Sequence, residues 1–367
     1  MVTKFRTENL DLLRLDDSRP NSIKDVLSAD SELEKNFRLS ISLLERIRRR
    51  GDERWYVMFS GGKDSTLLTV LVMEYLQQCS GDVPDTHVVY TDSRLEFPQA
   101  KAVALDLLSF IKTAAERKGL DVETHYVTPK AEDSYWVNMI GRGYTPPRAH
   151  FRWCTPRLKM RPSWDMIAKE PETTKAVLTG VRYDESNARK TNLELSCAKG
   201  GECGQDFWIR YGPKGSGITY FAPIVSWRTC KVWDFLTLMA PAFGWPTAGL
   251  INLYGGQSLR FGCWTCTLVS KDRAAESLIS RGDGGPLAKL TAFRSFLDEA
   301  SRNEDNRHRD AKGGLHGFNI DFCRVLLDKL LELQEEVGMT LITDEEILAI
   351  KLAWSGRQQF GQARRDC

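Results

Sequence analysis

Trp55-Tyr56-Val57-Met58-Phe59-Ser60-Gly61-Gly62-Lys63-Asp64-Ser65-Thr66-Leu67-Leu68 is the stretch that decides the fold. An apolar, β-favouring run ends in a tight Ser-Gly-Gly turn, and a leucine-rich helical pattern begins at once. That order predicts strand, loop and helix N-terminus. Paired glycines permit positive φ angles and remove the side chains that would keep a ligand from the backbone. The N–H groups freed at the helix start, together with the positive end of its dipole, form an anion site. Ser60, Ser65 and Thr66 add hydroxyl donors and Lys63 a counter-charge, so the turn reads as a phosphate holder. The plainer alternative is an ordinary strand-to-helix turn. The spacing is not that of a Walker A loop, which needs G-x-x-x-x-G-K-[ST].

Outward from this stretch, 67–78 continues as a helix, 86–92 reads as a buried strand, and 98–118 as a long helix. Strands follow at 122–127 and 175–180. Strands alternating with long helices predict an α/β fold, a Rossmann-like parallel sheet covered on both faces. Ligands of such sheets bind at the carboxyl ends of the strands, where the turn, Asp92, Thr128 and Gly180 all fall. Upstream, 31–50 has helical amphipathic spacing and ends in Arg48-Arg49-Arg50, read as a solvated helix end rather than a DNA contact. Downstream, 195–219 is a glycine-rich insertion, 220–225 a further strand and 231–239 a helix. Helical patterns return at 274–279, 287–297, 318–333 and 344–353, and the charged segment 301–317 is expected to be poorly ordered. The expected division is an N-terminal helical segment (1–50), a nucleotide domain (51–270) and a helical C-terminal region (271–367).

With 367 residues, 42% hydrophobic and 27% charged, the chain has apolar content for a real core. The first ten residues contain no apolar signal core, and no stretch approaches the ~18 apolar residues of a membrane span, so a cytoplasmic location is expected. Nine cysteines in such a chain point to metal, cluster or thiol chemistry rather than disulfides. A net charge of +2 means that any nucleic-acid surface must come from local clustering.

Four further segments carry chemistry. Asp92, in Thr91-Asp92-Ser93-Arg94-Leu95-Glu96-Phe97-Pro98, reads either as a Mg²⁺ ligand beside a triphosphate or as a turn cap. Residues 134–164 hold no Asp or Glu, yet contain Arg142, Arg148, Arg152, Arg157, Lys159 and Arg161 among Tyr135, Trp136, Tyr144, Phe151, Trp153 and Trp164. Such a segment suits a phosphodiester backbone and stacked bases; its cations equally suit ATP phosphates or internal carboxylates. Cys154 sits within it, where guanidinium neighbours are expected to lower its pKa and favour thiolate. Cys263-Trp264-Thr265-Cys266 is a C-x-x-C pair, suited to zinc, iron–sulfur or redox use. Cys154, Cys263 and Cys266 with Cys203 or Cys197 would make a four-cysteine iron–sulfur set, while Cys79, Cys230, Cys323 and Cys367 read as structural. In 180–189, Arg182 and Arg189 are placed to neutralise charge at phosphorus, with Glu185 orienting one of them; a salt-bridge cluster is the alternative.

Ser60-Gly61-Gly62-Lys63-Asp64-Ser65 resembles the PP-loop of the ATP pyrophosphatases, which split ATP between the α and β phosphates. Segments 60–65, 91–98, 151–155, 180–189 and 262–266 together resemble the phosphoadenosine phosphosulfate reductase family of PP-loop proteins. Within that family, 136–144, Phe151-Arg152-Trp153-Cys154-Thr155 and Phe261-Gly262-Cys263-Trp264-Thr265-Cys266 resemble DNA phosphorothioation sulfurtransferases of the DndC/SspD type. The resemblance implies ATP with Mg²⁺ at Ser60, Gly61, Gly62, Lys63, Asp64, Ser65, Thr66, Asp92 and Gly180. It implies reacting groups at Cys154, Asp64, Arg182 and Arg189, and DNA on Arg142, Arg148, Arg152, Arg157 and Lys159. A 4Fe-4S cluster on Cys154, Cys263, Cys266 and Cys203 is a further implication. A DNA phosphate oxygen would be adenylated, and sulfur from a cysteine desulfurase, carried on Cys154, would then displace AMP. The partners implied are that desulfurase, DNA and other subunits of a bacterial defence system; no membrane is involved. Rival readings are a phosphosulfate reductase, a tRNA-thiolating enzyme and a nucleotide-binding scaffold without turnover.

Overall fold

The computed structural model describes residues 27–79, 83–169, 173–185, 202–203, 208–213, 215–255, 261–269, 271–282, 284–310 and 312–363. Seven strands form the main sheet: β1 (Arg54–Phe59), β2 (Asp85–Thr91), β3 (Val122–Val127), β4 (Lys175–Leu178), β5 (Glu202–Cys203), β6 (Trp208–Tyr211) and β7 (Ile218–Phe221). Their spatial order is β3-β2-β1-β4-β7-β6-β5. β1 lies parallel to both β2 and β4, with Trp55 opposite Thr86 on one side and Ala176 on the other. β7 continues parallel beside β4, and β6 and β5 extend the edge antiparallel. The five strands β3, β2, β1, β4 and β7 make the Rossmann-like parallel sheet. Chain order reverses between β1 and β4, which places a switch point beside the turn that follows β1. The glycine-rich segment 195–219 is therefore not only loop, since it contributes β5, β6 and the start of β7.

Two compact units emerge, each assembled from separated stretches. One comprises residues 1–90, 99–126 and 167–256; the other comprises 91–98, 127–166 and 257–367. In the first, β1 is buried along nearly its whole length, as a central strand covered on both faces must be. The helix Lys63–Gln78 is buried from Ser65 to Leu76, with Tyr75 stacked on Trp55 at 6.1 Å. The helix Ser31–Arg49 is capped by Asp30, which accepts from the Glu32 and Leu33 N–H groups, and it buries Leu33, Phe37, Leu44 and Ile47. Its arginine run ends in ion pairs: Arg48 and Arg49 meet Glu45, and Arg50 meets Asp52. Burial works to raise Glu45, but hydrogen bonds from Arg48, Tyr75 and Arg49 overcome it and hold the carboxyl at about 2.

The second unit is mainly helical. Its helices Arg273–Ser280, Leu287–Arg302, Ile320–Val337 and Asp344–Ala363 extend the expected patterns, mostly toward their C-termini. Trp136 anchors them, its ring 5.9 Å from Trp264 and 6.2 Å from Phe293, its indole N–H donating to Leu341 O (2.7 Å). Segment 301–317, expected to be poorly ordered, instead forms a hairpin of β8 (Arg307–Arg309) and β9 (Leu315–Phe318). Asp310 organises its tip by accepting from the Lys312 and Gly314 N–H groups. Among the described residues, no helix is long and apolar enough to cross a membrane.

Candidate active site

The turn after β1 is shaped by close approach. Gly61 has φ +71°, and a Cβ there would lie 2.2 Å from Ala104 Cβ and 2.8 Å from Ala104 Cα. Only glycine satisfies both the left-handed conformation and that contact. Gly62 is the N-cap of the helix Lys63–Gln78 and supplies no side-chain oxygen to the first-turn N–H groups, which leaves them to an anion. Gly180, after β4, packs its backbone on the same helix start; a Cβ there would be 3.1 Å from Asp64 C, Asp64 O and Ser65 N.

The side chains of the turn divide by role. Ser60 is exposed, its hydroxyl 3.0 Å from Ser65 Oγ, whereas Ser65 and Thr66 are buried. Ser65 Oγ braces the turn, accepting from the Ser60 N–H (3.1 Å) and donating to Gly62 O (3.0 Å). Asp64 is gripped by Lys63 Nζ (2.9 Å) and Arg182 Nε (2.7 Å). Arg182, expected to meet phosphate, is 1% exposed, and its remaining N–H groups reach Trp227 O and Thr229 Oγ1. It holds Asp64 in place instead, the salt-bridge alternative. Asp184 completes this network, accepting from the Thr229 N–H and hydroxyl, which hold its carboxyl below the usual range. Arg189 lies outside the described residues.

In the second unit, Asp92 is fully buried and accepts from the Arg94 N–H (2.7 Å), so it acts as the turn cap. Three thiols are brought together here: Cys154, Cys263 and Cys266 all act electrostatically on Lys159 and on the buried Tyr135 hydroxyl. Two connections position them. Trp264 N–H donates to Leu95 O (2.9 Å), and Trp153 donates to Thr145 O (3.0 Å) while stacking on Tyr135. Ser93 Oγ lies 3.8 Å from Cys263 Sγ and donates to Glu96 Oε1 (2.6 Å); Lys159 Nζ stands 3.9 Å from the same carboxylate.

The electrostatics correct one expectation. Burial pushes the Cys154 thiol up, not down, and pushes Cys263 up to about 11. The expected guanidinium field is absent because Asp133, one residue upstream of the acid-free segment, draws Arg157 (3.1 Å), Arg161 (3.0 Å) and Arg142 (3.6 Å) to itself. Arg148 is held by Ser301, and Tyr135, Trp136 and Trp153 are core residues, so neither is free for bases or phosphates. Arg152, Phe151 and Trp164 stay exposed. Lys159 belongs with the thiols, its ammonium pushed up first by negative charge at Cys263.

Cys154, Cys263 and Cys266 fit as three of the four thiolates that an iron–sulfur cluster takes, with the buried Tyr135 and Thr265 hydroxyls beside them. Cys203 is in β5, but its side chain lies outside the described residues, as does Cys197. Sequence reading missed Glu96, Ser93 and Asp133 as partners; the signal for Glu96 and Ser93 was their place in a loop that leaves a sheet strand.

A Rossmann-like parallel sheet with a glycine turn at an uncapped helix start defines an α/β protein of the PP-loop-like fold. Residues 54–269 match the phosphoadenosine phosphosulfate reductase domain, and the chain belongs to that family of nucleotide-using enzymes. Two uncharacterized proteins of Methanocaldococcus jannaschii are each 24% identical, over 70% and 57% of this chain. The chain spans 53% of the length of one and 35% of the other. Among solved structures, it is similar to a phosphoadenylyl-sulfate reductase from Candida auris (17% identity, 68% of this chain, 100% of that one, TM-score 0.37). It is also similar to the U34-tRNA thiolase of Methanococcus maripaludis, solved with its [4Fe-4S] cluster (12% identity, 73% of this chain, 80% of that one, TM-score 0.39).

Proposed function

We propose that the chain cleaves ATP to AMP and pyrophosphate and uses that activation to transfer sulfur to the DNA backbone, as a phosphorothioation sulfurtransferase. The observation that carries the nucleotide half is the turn itself: Gly61 at φ +71° pressed on Ala104, Gly180 packed behind it, and a helix start with no side-chain cap. These features favour a diphosphate held by backbone N–H groups and the helix dipole. A non-bridging DNA phosphate oxygen attacks the α-phosphorus of ATP, the α–β bond breaks, and pyrophosphate leaves. The adenylated phosphodiester then has AMP as a good leaving group, where free phosphate oxygen is a poor one.

The thiol group supports the sulfur half. A persulfide on Cys154, charged by a cysteine desulfurase, attacks the activated phosphorus and AMP departs. A second thiol, Cys263 or Cys266, then attacks Cys154 sulfur; the S–S bond breaks, phosphorothioate is released, and a thiol reductant reduces the protein disulfide that remains. Lys159, close to all three sulfurs, stabilises the thiolates these steps need. If a 4Fe-4S cluster is bound, Cys154, Cys263 and Cys266 would hold it, and it would supply a sulfur-binding metal in place of the persulfide. Exposed Arg152 and Phe151 are the residues best placed to meet a DNA strand.

Mass spectrometry of nuclease-digested DNA from cells with and without the protein tests the acceptor. Loss of sulfur-containing dinucleotides is expected on deletion. Unchanged DNA sulfur with loss of thiolated tRNA nucleosides would make RNA the acceptor and overturn the DNA reading.

A further inference from the structure

Strands β2 and β3 carry a cluster that the sulfur chemistry does not use. Residues two apart on a strand share a face, and β2 and β3 are neighbours in the sheet. That brings Asp85 and His87 of β2 beside Glu123 and His125 of β3. His87 Nδ1 lies 2.8 Å from His125 Nε2, and Glu123 Oε2 lies 3.7 Å from the first and 3.5 Å from the second. Ligand atoms at about 2.1 Å from one tetrahedral zinc stand roughly 3.4 Å apart, so this triangle needs only small adjustments to close on a single ion.

The surroundings orient the cluster as a metal site requires. His87 is 7% exposed, and its other ring nitrogen, Nε2, sits 3.2 Å from Asp85 Oδ2 without completing a hydrogen bond. Asp85 is fixed by Arg54 Nε (2.9 Å), and the Tyr56 ring stacks on the imidazole at 4.9 Å. A carboxylate behind a histidine, with the ring locked by stacking, is the arrangement that sets the ligating nitrogen toward a metal. On the other side, Glu123 is 66% exposed and His125 26%, which gives an ion a path in and leaves a position for water.

We propose that His87, His125 and Glu123 bind a divalent transition-metal ion of the zinc class, with Asp85 as the orienting partner of His87. Two imidazoles and one carboxylate form a donor set suited to zinc and its first-row neighbours rather than to magnesium or calcium. Without metal, one imidazole donates a proton to the other across the 2.8 Å gap; the ion replaces that proton. Bound metal ties the edge strand β3 to β2.

The test is Co²⁺ binding to the full-length, chelator-treated protein, by equilibrium dialysis and absorbance, with His125→Gln and Glu123→Gln as variants. Both residues are at least partly exposed, so the fold tolerates the changes, and circular dichroism checks that it does. The cysteines also take cobalt, but thiolate ligands add a charge-transfer absorption that histidine and carboxylate ligands lack. One equivalent without that absorption is expected in the unaltered protein, competed by Zn²⁺, and weakened at least about tenfold in each variant. Variants that bind this equivalent as tightly as the unaltered protein, or cobalt that always carries thiolate absorption, would leave only a hydrogen-bonded histidine pair and overturn the proposal. Neither result touches the ATP reaction.

Discussion

The phosphate turn and the thiol cluster are made from different parts of the polypeptide. The turn is backbone: two glycines, a helix start and the close passes of Ala104 and Gly180. The cluster is side chains, drawn from 91–98, 151–159 and 263–266, and its chemistry depends on what is buried beside them. A backbone site is sensitive to one added methyl group and tolerant of charge. A side-chain site of this kind is the reverse: its geometry survives conservative replacement, whereas its protonation does not.

The sharpest way to break that contrast is Gly61→Ala. A Cβ at 2.2 Å from Ala104 Cβ, on a left-handed backbone, costs roughly 3 kcal/mol or more, so ATP cleavage should fall about a hundredfold. Adding Ala104→Gly should recover only part of this, because φ stays positive and Ala104 Cα remains 2.8 Å away. Full recovery in the double variant, read by pyrophosphate release, would show that the conformation of the turn is unimportant.

Cys154→Ser separates the two sites. Sulfur incorporation should disappear while pyrophosphate release stays within about twofold, since the thiol is asked only for the second half-reaction. Equal loss of both would tie the thiol to ATP cleavage.

Arg182→Met tests the support behind the turn. Removing a buried partner of Asp64 destabilises by about 3 kcal/mol, softened by the remaining Lys63 contact, and should appear as a lower melting temperature. Asp64→Asn, which leaves the buried Arg182 guanidinium only the more distant Asp184 carboxylate, should cost at least as much. The smallest effect is on reactivity. In metal-free protein, burial raises the Cys154 pKa, so its thiolate fraction at pH 7 is below that of an ordinary cysteine. Iodoacetamide should therefore label exposed Cys230 faster than Cys154 at pH 7, with Cys154 catching up as pH rises. Faster labelling of Cys154 at neutral pH would mean that cations dominate its surroundings after all.

The same contrast explains what could be read in advance. β3 and the helix Pro98–Lys118 have the expected bounds because their signals are local: β-branched and aromatic residues in the strand, and for the helix a proline at one end and Gly119 at φ +62° at the other. The turn was legible because its function resides in consecutive backbone positions. Cys154 was read with the wrong sign because the relevant acid, Asp133, stands just outside the acid-free segment and removes the arginines from play. Arg182 looked like a phosphate ligand because sequence cannot show that Trp227 O and Thr229 already occupy it. The β8–β9 hairpin was missed since its order comes from Asp310 capping its tip and from Phe318 N–H donating to Gly143 O (2.5 Å), a contact across the sequence.

The central claim is that the turn at Gly61 holds the departing diphosphate of ATP. Incubating the full-length protein with ATP labelled at the α-phosphate, and separating the nucleotide products, tests it directly. AMP should form with an equal amount of pyrophosphate, and Gly61→Ala should lower both together about a hundredfold; ADP as the product, or undiminished AMP from Gly61→Ala, would contradict it.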